Sequence, residues 1–233
     1  MFHSETHAIV LGAGGLGCPA LLGLSAAGVR SFTVVDDDHI DATNLQRQVL
    51  YRTADVGLAK AKAAGARLKA RLPTLKLRSV EQRVDPESLT RLLDAHTAEL
   101  GSRPWVVLEC TDSPQTKFLV NDQCLARGIP AVIAGAITWR GQAMAIAPGK
   151  PCYRCIFEEP PPVALAQNCN ASGVIGATTG QLGFLMAKLA LDLIERGDRA
   201  AGQLYIVDML SAEVRTLRPE RRLGCPACDA IRQ

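Results

Sequence analysis

His7-Ala-Ile-Val-Leu-Gly-Ala-Gly-Gly-Leu-Gly17 is the stretch that decides the fold. Its first half is a short apolar run ending at Gly12, the pattern of a buried strand. Its second half is a G-x-G-x-x-G turn, and Leu16 to Ala27 then shows helical spacing that stops at Gly28. Ser31 to Asp36 (SFTVVD) is a second strand, closed by three consecutive aspartates. A strand, glycine turn, helix and strand in this order make a βαβ unit, and such units build parallel sheets.

The alternation continues outward. A helical stretch from Val56 to Arg71 precedes a strand from Leu75 to Val80, and a helix from Pro86 to His96 precedes the central strand Trp105 to Cys110 (WVVLEC). Phe118 to Arg127 reads as a helix and Ile129 to Ala134 as a further strand. Beyond Gly135 the style changes: Gln142 to Ala147, Gln203 to Asp208 and Glu213 to Leu217 are strands joined without alternating helices, an antiparallel pattern. Pro160-Pro161-Pro162 opens an irregular stretch running to about Ser172, and a helix spans Thr178 to Arg196. The expected fold is therefore α/β, with a Rossmann-like, mostly parallel sheet continued by antiparallel strands. It is read as a single domain with a nucleotide-binding half (1–135) and an antiparallel, metal-binding half (136–233).

Bulk chemistry narrows the function. With 48% hydrophobic and 21% charged residues, the 233-residue chain has the composition of a globular domain. A net charge of +3 gives no reason to expect nucleic acid or an anionic membrane surface. Its apolar runs end well before the roughly 20 residues a membrane span needs. Met1 to His7 has the pattern of neither a secretion signal nor a transit peptide, and a cytoplasmic location is expected.

The glycine turn points to a nucleotide. Gly12, Gly14, Gly15 and Gly17 let backbone approach phosphate oxygens at a helix N-terminus, and Asp36, 19 residues beyond Gly17, stands where a carboxylate meets ribose hydroxyls. A nicotinamide or flavin dinucleotide is the default ligand of such a turn, which would make the protein an oxidoreductase. The following residues favour a triphosphate: Asp38, Asn44, Arg47, Gln48 and Lys60 crowd the same end of the sheet, and departing pyrophosphate needs neutralising cations. Arg47 and Lys60 as solvated surface charges are the plain alternative. Asp112, just after the central strand, is placed either to hold Mg²⁺ against phosphates or to cap the next helix. Eight cysteines include two Cys-x-x-Cys pairs, Cys152/Cys155 and Cys225/Cys228, with 69 residues between them. One pair alone could be a redox motif; two pairs form a closed, tetrahedral, structural Zn²⁺ site.

In combination these stretches resemble the MoeB/ThiF/HesA family, prokaryotic relatives of ubiquitin-activating enzymes. The matching segments are GAGGLG (12–17), VVDDDHIDATNLQRQ (34–48), GLAKAKA (57–63), CTDS (110–113), NDQCLARGIPAVIAGAITWRGQ (121–142), CYRC (152–155), CNASGVIGATTG (169–180) and CPAC (225–228). The resemblance implies ATP-dependent adenylation of the C-terminal glycine carboxylate of a small ubiquitin-like, sulfur-carrier protein ending in Gly-Gly. It implies Gly14 and Gly15 under the phosphates, Asp36 on the ribose, Asn44, Arg47 and Lys60 on the phosphates, and Asp112 as the magnesium-linked carboxylate. It further implies a homodimer, a structural zinc, and a sulfurtransferase as a possible partner. At Cys169 some relatives place a cysteine that receives the activated acyl group or sulfur; simple packing is the alternative, and Ala171 stands where relatives carry an acid. The family's N-terminal arginine, which reaches a neighbouring subunit's site, has no counterpart here, and Arg140 and Arg154 are candidates to replace it. Lys117 stands where relatives carry an arginine. Adenylation of a peptide or natural-product precursor, and a non-catalytic relative, stay open at this point.

Overall fold

The computed structural model describes residues 3–162 and 173–230. One eight-stranded sheet runs through it in the order β3-β2-β1-β4-β5-β6-β7-β8. The strands are β1 (His7–Leu11), β2 (Ser31–Val35), β3 (Lys76–Val80), β4 (Trp105–Glu109), β5 (Ala131–Ile137), β6 (Arg140–Ile146), β7 (Leu204–Asp208) and β8 (Glu213–Leu217). Strands β1 to β5 pair in parallel, and β5/β6, β6/β7 and β7/β8 pair antiparallel. Both halves expected from the sequence thus share one continuous sheet.

Burial explains the strand sequences. Every residue of β1 and β2 is buried, as parallel strands covered on both faces must be. One face is covered by α1 (Gly17–Ala26), α2 (Lys60–Arg71) and α6 (Gly176–Arg196), whose Leu21, Leu24, Leu68, Met186 and Leu189 pack on Val10, Val34 and Leu108. The other is covered by α3 (Pro86–Leu100) and α4 (Pro114–Ala126), through Leu89, Leu93, Phe118 and Leu125 on Ile9, Leu11 and Val107. Two four-residue helices, α5 (Tyr153–Ile156) and α7 (Pro226–Asp229), carry the cysteine pairs on this second face.

Helix boundaries follow local chemistry that apolar spacing does not carry. The helix expected from Val56 begins only at Lys60, because Gly57 has φ +87°, which an α-helix cannot accommodate. Residues 53–55 form instead a 3₁₀ turn whose Asp55 is bound by Arg67 of α2 (Nε to Oδ2, 2.7 Å). Helix α4 starts four residues before the expected Phe118: Pro114 occupies its first position and the Ser113 hydroxyl accepts from the Thr116 amide at 3.2 Å. Helix α3 runs on to Leu100, past the expected end at His96. No helix among the described residues is long and apolar enough to cross a membrane.

Candidate active site and thiol cluster

Strand order reverses between β1 and β4, so the helices after these strands lie on opposite faces and a crevice opens at the strands' C-terminal ends. A cleft of about 1190 Å³ occupies that position. Gly12, Gly14, Gly15, Asp36, Asp38, Asn44, Arg47, Gln48, Lys60 and Asp112, expected from the sequence to serve one site, all line it. Gly17 is the exception: it is buried behind the loop.

The four glycines divide by role. Gly12 has φ +92°, and a Cβ there would meet the backbone of Cys110 at 3.0 Å and of Thr111 at 3.1 Å. At Gly17 a Cβ would fall 2.0 Å from the Gly12 carbonyl oxygen. These two let the chain turn and the helix close on the strand. Gly14 and Gly15 face the cleft, where an added Cβ at Gly15 would press on Thr179 (3.1 Å) and Arg47 (3.4 Å). The amides of Gly14, Gly15 and Leu16 donate to no group among the described residues, and α1 adds the positive end of its dipole. This is a cradle for an anion with its donors free.

The charged groups around the loop are held in fixed relations. The Asp36 carboxylate accepts from the Ala13 amide at 2.7 Å and the Asp38 amide at 2.9 Å, which ties the end of β2 to the glycine loop. Burial pushes the Asp36 carboxyl above its ordinary range, and those two amides oppose the shift. Lys60 is only 6% exposed and donates to Asp38 Oδ2 at 2.5 Å, which holds the Asp38 carboxyl below its usual value. Lys60 is therefore no solvated surface charge. Arg47, partly buried, donates to Asn44 Oδ1 at 2.6 Å. Gln48 is buried, and its Oε1 accepts from no group among the described residues, an orphaned acceptor on the cleft wall.

Asp112 is exposed and makes no hydrogen bond or ion pair among the described residues. The capping alternative is overturned: the cap of α4 is Ser113. Lys117 is buried, pairs with Glu109 at 2.7 Å and also donates to the carbonyls of Thr111 (2.7 Å) and Ala134 (2.6 Å), so all three of its N–H groups are engaged. Arg154 lines the cleft but grips Asp122 through Nε and Nη2 and lies 4.8 Å over the Phe118 ring. Arg140 pairs with Asp208 at 2.8 Å and does not line the cleft. Cys169 lies outside the described residues. Sequence reasoning passed over Gln46, Thr179 and the exposed Arg83 on the cleft rim, none of which carries a local signal. It also passed over the Glu109–Lys117 pair, whose signal was a lone acid inside the apolar strand WVVLEC.

On the far face the four thiols converge. Cys152 Sγ lies 3.8 Å from Cys155, 3.7 Å from Cys225 and 3.4 Å from Cys228, and Cys155 lies 3.6 Å from Cys228. A tetrahedron with Zn–S bonds of about 2.3 Å has edges of about 3.8 Å, so the cluster fits that ion. Three of the thiols are buried, and packing four sulfurs this closely without a disulfide suits four thiolates around one divalent cation. The Asn121 amide nitrogen faces Cys152 Sγ at 3.8 Å while its Oδ1 accepts from the Tyr153 amide at 2.9 Å, an outer partner of the kind that orients metal ligands. Cys18, Cys110 and Cys124 are separately buried, and burial pushes the Cys18 and Cys124 thiols up to about 12. These are packing residues.

Fold and cleft together define an α/β protein of the nucleotide-binding type, with its crevice at the topological switch point of the sheet. More particularly, the chain belongs to the ThiF family, whose model matches residues 3–227. It is 36% identical over 225 residues to the SAMP-activating enzyme E1 of Haloferax volcanii, covering 96% of this chain and 80% of the relative. It is 34% identical over 229 residues to the sulfur carrier protein ThiS adenylyltransferase of Escherichia coli, covering 96% and 86%. Among solved structures, that of Escherichia coli MccB with ATP superposes with a TM-score of 0.79 over 97% of this chain and 69% of that one, at 18% identity, a likeness of fold.

Proposed function

We propose that this chain adenylates the C-terminal glycine carboxylate of a small ubiquitin-like sulfur-carrier protein. The observation that carries the reading is the gathering, in one cleft, of free glycine-loop amides, the cations Arg47 and Lys60, and an unengaged carboxylate at Asp112. Relatives whose names state adenylation of a sulfur carrier, or activation of SAMP, support it over most of the chain. The oxidoreductase reading loses ground, because a dinucleotide has no use for this set of cations beyond the loop.

The chemistry asks little proton transfer of the protein. One oxygen of the carrier's terminal carboxylate, already ionised, attacks the α-phosphorus of ATP in line. The bond from that phosphorus to the bridging oxygen breaks, leaving an acyl-adenylate and pyrophosphate. Gly14 and Gly15 amides hold the phosphates, Asp36 holds the ribose, and Lys60, Arg47 and Asn44 receive the charge that grows on the departing pyrophosphate. Gly12 and Gly17 shape the loop. Asp38 keeps the Lys60 ammonium aimed at the cleft, and Gln48 offers its free oxygen to a ligand donor. Mg²⁺, carried by Asp112, would neutralise phosphate charge. Zn²⁺ at Cys152, Cys155, Cys225 and Cys228 fastens the C-terminal segment to the loop after β6. The whole chain acts as one adenylation unit, works as a homodimer in the cytoplasm, and passes its product to sulfur chemistry, with a sulfurtransferase as partner.

The experiment is ATP–pyrophosphate exchange with purified protein and a ubiquitin-like protein ending in Gly-Gly. Exchange that requires the carrier, and disappears when its terminal glycine is removed, is the expected result. Tight NAD binding without ATP affinity would sink the reading. Sedimentation at micromolar concentration tests the dimer.

A further inference from the structure

Glu109 is the last residue of β4 and is fully buried, yet no step above uses it. Removing a carboxylate and an ammonium from water is costly, and a well-packed apolar pair commonly gives equal or better stability. Stability is therefore a poor account of why Glu109 and Lys117 stand here. Their bonds give a better one, because three of them end on Thr111. Glu109 Oε1 accepts from the Thr111 amide at 2.9 Å and also from the Thr111 hydroxyl, while Oε2 accepts from Lys117 at 2.7 Å. Lys117 in turn donates to the Thr111 carbonyl at 2.7 Å and to the carbonyl of Ala134 on β5 at 2.6 Å. Thr111 is thus gripped by its amide, its carbonyl and its hydroxyl, and the hydroxyl also accepts from the Ser113 amide at 3.3 Å.

Asp112 sits between this gripped residue and the Ser113 cap of α4, with no side-chain partner of its own among the described residues. We propose that Glu109 and Lys117 are positioning residues, a buried clamp on Thr111 that presents the Asp112 carboxylate to the cleft, rigidly placed and uncommitted. The same segment sets the glycine loop, since Gly12 lies against the backbone of Cys110 and Thr111. One device thereby links the phosphate cradle at the end of β1 to the carboxylate at the end of the adjacent β4. Lys117 lines the cleft but has no N–H left for a phosphate, so its effect on the reaction passes through Thr111. The proposal rests on the adenylation reading for its consequence, but the clamp itself is measurable without any ligand.

Two variants separate the outcomes. The double change Glu109→Gln/Lys117→Met removes both charges at similar volume and leaves the carbonyls of Thr111 and Ala134 without a donor. Thr111→Val removes only the hydroxyl and keeps the fold testable if the double variant does not fold. In the ligand-free protein, amide exchange at residues 110–113 should quicken by about tenfold or more in the double variant and less in Thr111→Val, with the melting temperature as a control on global opening. Loss of an outer partner typically weakens a metal site 10- to 100-fold, so the gain in ATP affinity that Mg²⁺ brings should fall by about tenfold. Affinity for ATP in EDTA should stay within about twofold, because the glycine-loop donors are untouched. Unchanged exchange rates at 110–113 in folded variants would overturn the clamp. Equal loss of affinity with and without Mg²⁺ would also overturn it, since the pair would then act on the nucleotide and not through Asp112. Native protein with no affinity for ATP would refute the adenylation reading instead, and the clamp would still stand or fall on the exchange rates.

Discussion

Acid should destabilise this protein through one buried histidine, His7, at the end of β1 away from the cleft. His7 opens β1 and His96 lies in α3; both are buried and bridged by Thr33 of β2. His96 Nδ1 lies 2.7 Å from the Leu92 carbonyl, which can only accept, so that nitrogen carries the proton. In the neutral ring Nε2 then accepts from the Thr33 hydroxyl at 2.9 Å, leaving Thr33 oxygen to accept from His7 Nε2–H at 3.1 Å. His7 Nδ1 accordingly accepts from the Ser31 hydroxyl at 2.8 Å. In this arrangement both ring nitrogens of a neutral His7 are matched, one as donor and one as acceptor. Burial, with His96 and Arg103 nearby, lowers the His7 pKa to about 3. The unfolded chain takes up a proton near the ordinary 6.5 while the folded chain does not, so stability is full above that value and is lost as pH falls from it toward the folded value. Between about pH 7.5 and about pH 5 the loss from this one group is about 2 kcal/mol, taking 1.36 kcal/mol per pH unit. For a chain of this size that is about 4–8 °C in melting temperature. Urea unfolding at the two pH values, on native protein and His7→Gln, isolates the term, because acid effects on the thiol cluster cancel in the difference. Gln can accept from Ser31 and donate to Thr33 but does not titrate. The variant should lose about 2 kcal/mol less than native protein over this interval. Equal losses, or a folded-state His7 signal titrating near its ordinary pKa by NMR, would refute the reasoning.

Other expectations are more local. Purified protein should contain about one Zn²⁺ per chain, since four thiolates saturate one tetrahedral ion; Cys225→Ser should lower the melting temperature and expose residues 225–228 to protease, and metal-free native protein of full stability would count against the site. Asp112→Ala should cut carrier-dependent pyrophosphate exchange by about 100-fold or more while leaving the melting temperature unchanged, because the side chain is exposed and makes no hydrogen bond or ion pair among the described residues. Lys60→Ala should reduce exchange by a similar factor, with little loss of stability, since its partner Asp38 is largely solvated and can stand alone. Cys169→Ser tests a covalent role: retained exchange with failed transfer of the activated carboxylate to sulfur marks a nucleophile, whereas retention of both steps means that the protein stops at the adenylate.

The parts legible in the sequence were those whose physics is local. Gly12, Gly14, Gly15 and Gly17 announce themselves because a tight turn and a close approach each exclude a side chain at a fixed spacing. The two cysteine pairs do so because four-thiolate chemistry admits few other uses. Lys60 was harder, since nothing nearby reveals that Asp38, 22 residues earlier, would hold it in a buried position. Gln82 and Arg83 were illegible, for they follow β3, and only the crossover that lays β3 outside β2 brings that loop to the cleft.

Asp112 shows most clearly where local reading stops. On its own it was as much a candidate cap for the next helix as a candidate metal carboxylate. The cap fell to Ser113, because Pro114 takes the first helical position and the hydroxyl one residue before it reaches the Thr116 amide. That one-residue difference turns Asp112 from a structural acceptor into a carboxylate with no duty in the fold. An exposed acid without partners is unremarkable on most surfaces. At the C-terminal edge of β4, on the same cleft as a glycine loop whose amides are free among the described residues and beside a threonine held at three points, it is the group we propose to meet a phosphate-bound cation.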